Sequence, residues 1–304
     1  MIEFSNSYYF PTIPIPSILI DASKLGVVAN DAGAAEQITW IFRHLEQVPS
    51  VFLSGPAERV FSNSNGLLYN PALTLQEVLS SSILIVGSGW MTTWETDAIN
   101  AAHMNEIPTF AVLDHWMNYR ERFRNATSLP SYFGVTNELA FGLASQAFPD
   151  RPIVKIPDFQ LMHYKDHLES NSRGYSNILL LLEPNTNFLN DSKFGITEKI
   201  QYEALEFAAK LKKTHNSSAV VVRLHPSQKN NPRLADFLLA NSIGVKLSYC
   251  DDLLEDLSMA SHVIGFNTYG LYLSSMCGIK TYSYFAQDSK HWSYEFANID
   301  SFES

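Results

Sequence analysis

The run Val220–Val221–Val222–Arg223–Leu224–His225–Pro226–Ser227 reads as a buried strand that ends abruptly in a polar tip. Four of its first five positions are hydrophobic and three of those are β-branched, the pattern of a strand covered on both faces. Proline has no N–H to continue a ladder and drives the residue before it out of helical geometry, so the strand stops at Pro226 and His225 stands at its carboxyl end. In open α/β sheets, ligands bind at that end. A loop histidine beside a proline is the plain alternative, and the surrounding pattern has to decide between the two.

Upstream of this strand, 197–213 reads as an amphipathic helix and 177–182 as a strand running into Glu183–Pro184–Asn185. Downstream, 251–259 reads as a helix and 261–266 as another strand. The latter opens into Phe266–Asn267–Thr268–Tyr269–Gly270–Leu271, small and polar residues at a strand-to-helix junction, with Asn267 or Thr268 as N-cap. Such a helix start offers N–H groups, a hydroxyl and a dipole to an anion. A structural cap alone needs only one of these residues. The His225 tip lies two elements earlier, so both tips can face the same crevice.

Before residue 175 the hydrophobic pattern lapses over 158–174, and this stretch reads as a linker between domains 1–157 and 175–304. His163 and His167 within it have i, i+4 spacing, but solvent-facing helix positions explain them better than a metal site does. The first half has the same strand and helix alternation. Pro11, Pro14 and Pro16 make the opening 1–16 extended, and 18–20 is read as a further strand. Strand 26–29 breaks at Asn30–Asp31–Ala32–Gly33 into a helix from Ala34 onward. Strand 83–86 ends in Gly87–Ser88–Gly89, with a helix over 93–105, and strand 108–113 runs into Asp114–His115–Trp116, with Arg120 and Arg122 close behind. The alternation predicts mainly parallel sheets in two Rossmann-like domains. Asp31 has two compatible readings, an N-cap and a carboxylate at a sheet edge placed to accept a proton. For Asp114 the competing reading is a surface turn with Asp–Arg pairing.

Composition narrows the function classes. The 304 residues suit two domains, and 46% hydrophobic with 17% charged residues describe a globular chain. A net charge of −10 argues against a nucleic-acid partner. Two cysteines, Cys250 and Cys277, fit no metal spacing and read as reduced thiols of a cytoplasmic protein. No apolar run approaches the roughly 18 residues of a membrane helix, which leaves at most peripheral membrane contact.

The order of strand–His–Pro–Ser, acidic helix, strand–Ser/Thr–helix and then Gly278–Ile279–Lys280–Thr281–Tyr282–Ser283–Tyr284 resembles the C-terminal half of bacterial GT-B glycosyltransferases. The nearest groups are the sialyltransferases, polysialyltransferases and capsule Kdo-transferases, which use CMP-activated sugars. The resemblance covers the last third of the chain by motif and the first half by architecture alone. It implies a GT-B fold in which His225 and Thr268 hold the nucleotide phosphate. The Asp31–Ala32–Gly33 stretch is similar to the acidic-x-Gly element that carries the base of those families. Where they commonly have a serine pair, Asn267–Thr268 stands here.

The expected activity is therefore an inverting transfer of sugar from a nucleotide-activated donor, CMP-linked, to a glycan or other hydroxyl acceptor. Asp31 and His225 are the candidate catalytic residues. Glu183, Pro184, His225, Ser227, Asn267, Thr268, Tyr269 and Gly270 form the candidate nucleotide-binding set, and Asn30, Gly33, Ser88, Asp114 and His115 the candidate substrate-binding set. No metal or cofactor is demanded, because no Asp-x-Asp falls near a strand end. Two alternatives stay open: an epimerase or hydrolase of nucleotide sugars on the same scaffold, and a non-catalytic GT-B-like binding protein.

Overall fold

The computed structural model describes residues 15–64, 66–89, 92–170, 176–183, 198–215, 217–225, 245–250, 252–266, 268–284 and 299–301. The chain divides into two compact units, Met1–Gln160 and Leu161–Ser304.

In the first unit the strands are β1 (Leu25–Ala29), β2 (Ser50–Leu53), β3 (Asn70–Pro71), β4 (Ile83–Val86), β5 (Thr109–Val112), β6 (Tyr132–Val135) and β7 (Ile153–Lys155). They form one sheet in the order β3-β2-β1-β4-β5-β6-β7, and all pairs are parallel. Every residue of β1, β4 and β5 is buried. Central strands of a parallel sheet are covered on both faces, which is why LGVVA, ILIV and TFAV are near-continuous apolar runs without polar alternation. Helix Ala32–Phe42 lays Ile38, Ile41 and Phe42 on this sheet, in a core with Val27, Ile85 and Phe110.

The second unit repeats the plan with β8 (Asn177–Leu181), β9 (Ala219–Arg223), β10 (Val245–Leu247), β11 (Ala260–Gly265), β12 (Lys280–Ser283) and β13 (Ile299–Ser301). Its order is β10-β9-β8-β11-β12-β13, again wholly parallel. Ile178, Leu180, Val220, Val222, Ile264 and Phe266 pack there against helix Glu198–Thr214 through Ala204 and Ala208. A charged lock ties β9 to the helical turn Leu253–Ser258: Arg223 Nη1 lies 2.6 Å from Asp256 Oδ2, and the Ser248 hydroxyl donates to the same carboxylate at 2.7 Å.

In each sheet the strand order reverses at one place, between β1 and β4 in the first and between β8 and β11 in the second. Crossover connections leave in opposite directions there and open a crevice at the carboxyl ends, the ligand position of doubly wound sheets. The expected α/β class with mainly parallel sheets is what the structure has.

Two local expectations change. Residues 18–20 belong to a helical turn, Ser17–Ile20, because the Pro16 carbonyl accepts the N–H groups of Leu19 and Ile20. Within the stretch read as a linker, Phe159–Ser170 is helical, and Leu161, Tyr164 and Leu168 are buried at i, i+3 and i+7. Polar residues between those positions hide the period. Helix Pro56–Asn63 and the short strands β3, β10 and β13 were not legible at all. The extended reading of 1–16 falls almost wholly outside the described residues.

Candidate functional site

At the first reversal, β1 runs into Asn30–Asp31 and β4 into Gly87–Ser88–Gly89. Asp31 caps helix Ala32–Phe42: its Oδ2 accepts from the Gly33 N–H at 3.0 Å and the Ala34 N–H at 3.4 Å. Capping fixes the carboxylate at the sheet edge, so the two readings of Asp31 describe one geometry. Gly33 is required by close approach, since a Cβ there would stand 2.2 Å from Asp114 Oδ2.

Asp114 follows β5 and pairs with Arg122, whose Nη1 is 2.6 Å from Asp114 Oδ1. The pairing expected for this loop is present, but not as a surface turn: the two side chains are only 16% and 8% exposed. Asn118 takes a left-handed conformation, φ 57°, which asparagine tolerates better than most residues. The reversal it makes leads into the turn Tyr119–Arg122, whose arginine reaches back to the edge. There the guanidinium donates to the Ser88 carbonyl at 3.0 Å, the Ser88 hydroxyl at 2.9 Å and the Met117 carbonyl at 3.0 Å. Ser88 in turn donates to Asp114 at 3.2 Å and is buried. The His115 ring stacks on Trp116 with centroids 4.8 Å apart.

Glu95 completes this edge. It sits in the first turn of helix Trp94–Met104 and is 1% exposed. Its Oε1 accepts the N–H groups of Asn30 at 2.8 Å and Asp31 at 3.3 Å. Sequence reading passed over Glu95, because an acid in a first helical turn is ordinary dipole complement. A usable signal was present: Glu95, Ala98, Ile99 and Ala102 recur at i, i+3, i+4 and i+7, which puts the carboxylate on the buried face.

The carboxyls divide in their proton affinity. Burial pushes Asp31 up from 3.8 to about 6, and the negative charges of Asp114 and Glu95 add to the rise against the opposing pull of the Ala34 N–H and Arg122. Burial alone would raise Asp114 too, but the Arg122 guanidinium, His115 and hydrogen bonds from Arg122 and Ser88 hold it below its ordinary value. An ionised carboxylate thus stands beside one that gains and loses a proton near neutrality, the division of labour acid–base sites use.

The second reversal is built from different groups. Thr268 caps helix Tyr269–Met276, its hydroxyl accepting the Leu271 N–H at 3.2 Å. At Gly270 a Cβ would meet Leu181 Cδ1 at 3.0 Å, so the glycine lets this first turn sit against the end of β8. Glu183 follows β8 half-buried, and its carbonyl accepts from Gln201 Nε2 at 2.9 Å. His225 follows β9, and burial lowers its imidazole below the ordinary histidine value. Two strand spacings, about 10 Å, separate β9 from β11, so His225 and Tyr269 to Gly270 flank the Glu183 tip along one edge. Pro184, Ser227 and Asn267 lie outside the described residues.

No family model matches the chain, and no curated protein matches it in sequence. Solved structures do match in fold. The UDP-GlcNAc 2-epimerase of Neisseria meningitidis, bound to UDP-GlcNAc, superposes with a TM-score of 0.59 at 16% identity over 86% of this chain and 82% of its own. The UDP-GlcNAc 2-epimerase of Methanocaldococcus jannaschii gives 0.57 at 13% identity, over 92% and 88%. The wall teichoic acid polymerase TagF gives 0.50 at 11%, over 89% and 72%. The chain therefore has the two-unit α/β fold of GT-B-type enzymes. Among the described residues no helix is long and apolar enough to cross a membrane.

Proposed function

We propose that this chain is an enzyme of nucleotide-activated sugars in which unit Met1–Gln160 handles the acceptor and the proton and unit Leu161–Ser304 holds the nucleotide. The observation that carries the reading is the Asp31 carboxyl, fixed at a sheet reversal by its own helix cap and raised to about 6 by burial and by Asp114. A buried carboxyl with that affinity at a ligand-binding edge is a general base or acid near neutral pH.

The leading reaction is inverting, metal-independent glycosyl transfer in the cytoplasm. Asp31 takes the proton of an acceptor hydroxyl as its oxygen attacks the anomeric carbon on the face opposite the nucleotide. The bond from that carbon to the phosphate oxygen breaks, and the electron pair leaves with the nucleotide. His225 is neutral at pH 7, its affinity lowered by burial, so it supports the departing phosphate as an N–H donor. The start of helix Tyr269–Met276 adds its dipole and N–H groups. The His-Pro motif supports a CMP-linked donor of the sialyltransferase and Kdo-transferase kind, with a glycan acceptor.

A second reading has its own support. Two of the fold neighbours above are UDP-GlcNAc 2-epimerases, and a carboxyl poised near neutrality serves equally to move a proton at a sugar carbon. The donor would then be UDP-linked and no acceptor would be needed.

Incubation of the purified chain with UDP-GlcNAc or a CMP-sugar in D₂O, with and without glycan acceptor, separates the two. Nucleotide release that needs acceptor and leaves the sugar free of deuterium supports transfer. Deuterium entering the sugar without acceptor replaces transfer by epimerisation. No turnover of either donor, together with no shift in melting temperature on adding either nucleotide, would sink both.

A further inference from the structure

Glu95 is the one buried carboxylate at the first edge that the proposed chemistry leaves without a task. It is 1% exposed, and its Oε1 holds the N–H groups of both residues that follow β1, Asn30 at 2.8 Å and Asp31 at 3.3 Å. Its Oε2 is buried with no hydrogen-bond partner among the described residues. A buried acceptor left unsatisfied is costly, and two N–H groups after a strand could be met more simply by water or a neutral side chain. Two glycines shape the pocket around it: a Cβ on Gly87 would stand 3.1 Å from Glu95 Oε1, and one on Gly89 would stand 3.0 Å from Asp31 Cβ, 3.1 Å from Oε1 and 3.4 Å from Oε2. The backbone after β4 thus closes over Glu95 and the Asp31 stem together.

We infer that Glu95 is a positioning residue for Asp31: its carboxylate clamps the turn after β1, sets where the Asp31 carboxyl stands at the sheet edge, and keeps a negative charge beside it. The inference rests on the proposed role of Asp31. The charged groups around Asp31 are Asp114 and Glu95, which both raise its proton affinity, and Arg122, which lowers it. Of these, Asp114 and Arg122 neutralise each other at 2.6 Å, whereas no cation is paired with Glu95 among the described residues. Glu95 differs from a plain structural clamp in one respect, because a neutral amide could hold the same N–H groups but would not repel charge on Asp31.

The test is Glu95→Gln, with Asp97→Asn as the control that removes an exposed charge from the same helix. The Asp31 carboxyl is followed by carbon-13 NMR titration of the free protein, and turnover is followed against pH. In Glu95→Gln the Asp31 midpoint should fall by about 0.5–1 pH unit, and the acid limb of the turnover profile should move with it. Asp97→Asn should move neither. If Glu95→Gln does not fold, Gly89→Ala pushes on the same clamp with Glu95 in place and should shift the midpoint and lower kcat more than it raises KM. An Asp31 midpoint unchanged in every folded variant of Glu95 or Gly89 overturns the inference. Failure of the reading beneath it has a different signature: Asp31→Asn would keep full activity whatever the titration shows, and the NMR midpoint would still judge the clamp.

Discussion

The two sheet reversals share one topology and carry opposite chemistry. At the first, Asp31, Glu95 and Asp114 converge with Arg122 among the described residues, and they are matched to turn N–H groups, the Ser88 hydroxyl and the guanidinium. At the second, the edge presents a threonine cap, a glycine, a helix start and an imidazole kept neutral by burial. Burial therefore does different work on the two sides. In the first unit it keeps a carboxyl protonatable near neutrality, and in the second it disfavours the charged form of a histidine that follows β9 on the edge where the helix Tyr269–Met276 begins. A parallel sheet dictates where such edges lie, and a few side chains on the loops decide what each edge can do.

The sharpest way to break this contrast is Asp31→Asn. Asparagine retains the cap but takes no proton, so turnover should fall by about 10²–10⁴-fold, with donor affinity nearly unchanged by calorimetry. If the mutant keeps full turnover, Asp31 is not the base, and Asp114 or Glu36 is the next candidate. Arg122→Leu tests the same edge by stability. It leaves Asp114 buried without its partner, and removing one member of such a pair typically costs about 3–5 kcal/mol in chemical denaturation. A cost under about 1 kcal/mol would mean that the pair is solvated.

On the second edge His225→Ala should lower both nucleotide affinity and turnover, by about 10-fold or more each. A change in turnover alone would move His225 from phosphate contact to proton chemistry and erase the contrast. Thr268→Ala loses a cap and should cost about 1 kcal/mol of stability, with nucleotide affinity falling further than that loss explains. Equal nucleotide affinity despite that loss of stability would leave the cap purely structural.

A pH dependence sharpens the contrast from the side of stability. Asp31 binds its proton more tightly folded, about 6, than unfolded, 3.8. Between those values the native state holds a proton that the unfolded chain has released. Stability from this group is therefore full below about pH 4 and declines as pH rises through 6, by roughly 3 kcal/mol in all. Asp114, held below its ordinary value, contributes in the opposite sense, and its stabilisation is lost only as pH falls below 4. Comparing urea midpoints of wild type and Asp31→Asn from pH 4 to 7 isolates the first window. Parallel curves would show that Asp31 titrates normally.

The sequence by itself determined the architecture, because apolar strands that alternate with amphipathic helices leave few choices other than parallel sheets. It also placed Asn30, Asp31, Gly33, Ser88 and Asp114 at strand ends, and the structure brings these to a single edge. The helix 159–170 escaped because its three buried hydrophobic positions are diluted by histidines, lysine and acids. Only the tertiary structure could join Glu95 to Asp31, since they are 64 residues apart and meet through β1 and β4 becoming neighbours. The burial of Arg122 was also undecidable from the chain, which offers the same Asp–Arg spacing to a solvated turn and to a packed one. Local propensity and periodicity act over a few residues. Proton affinity depends on which distant charges are packed within a few ångströms and on how much water is left between them.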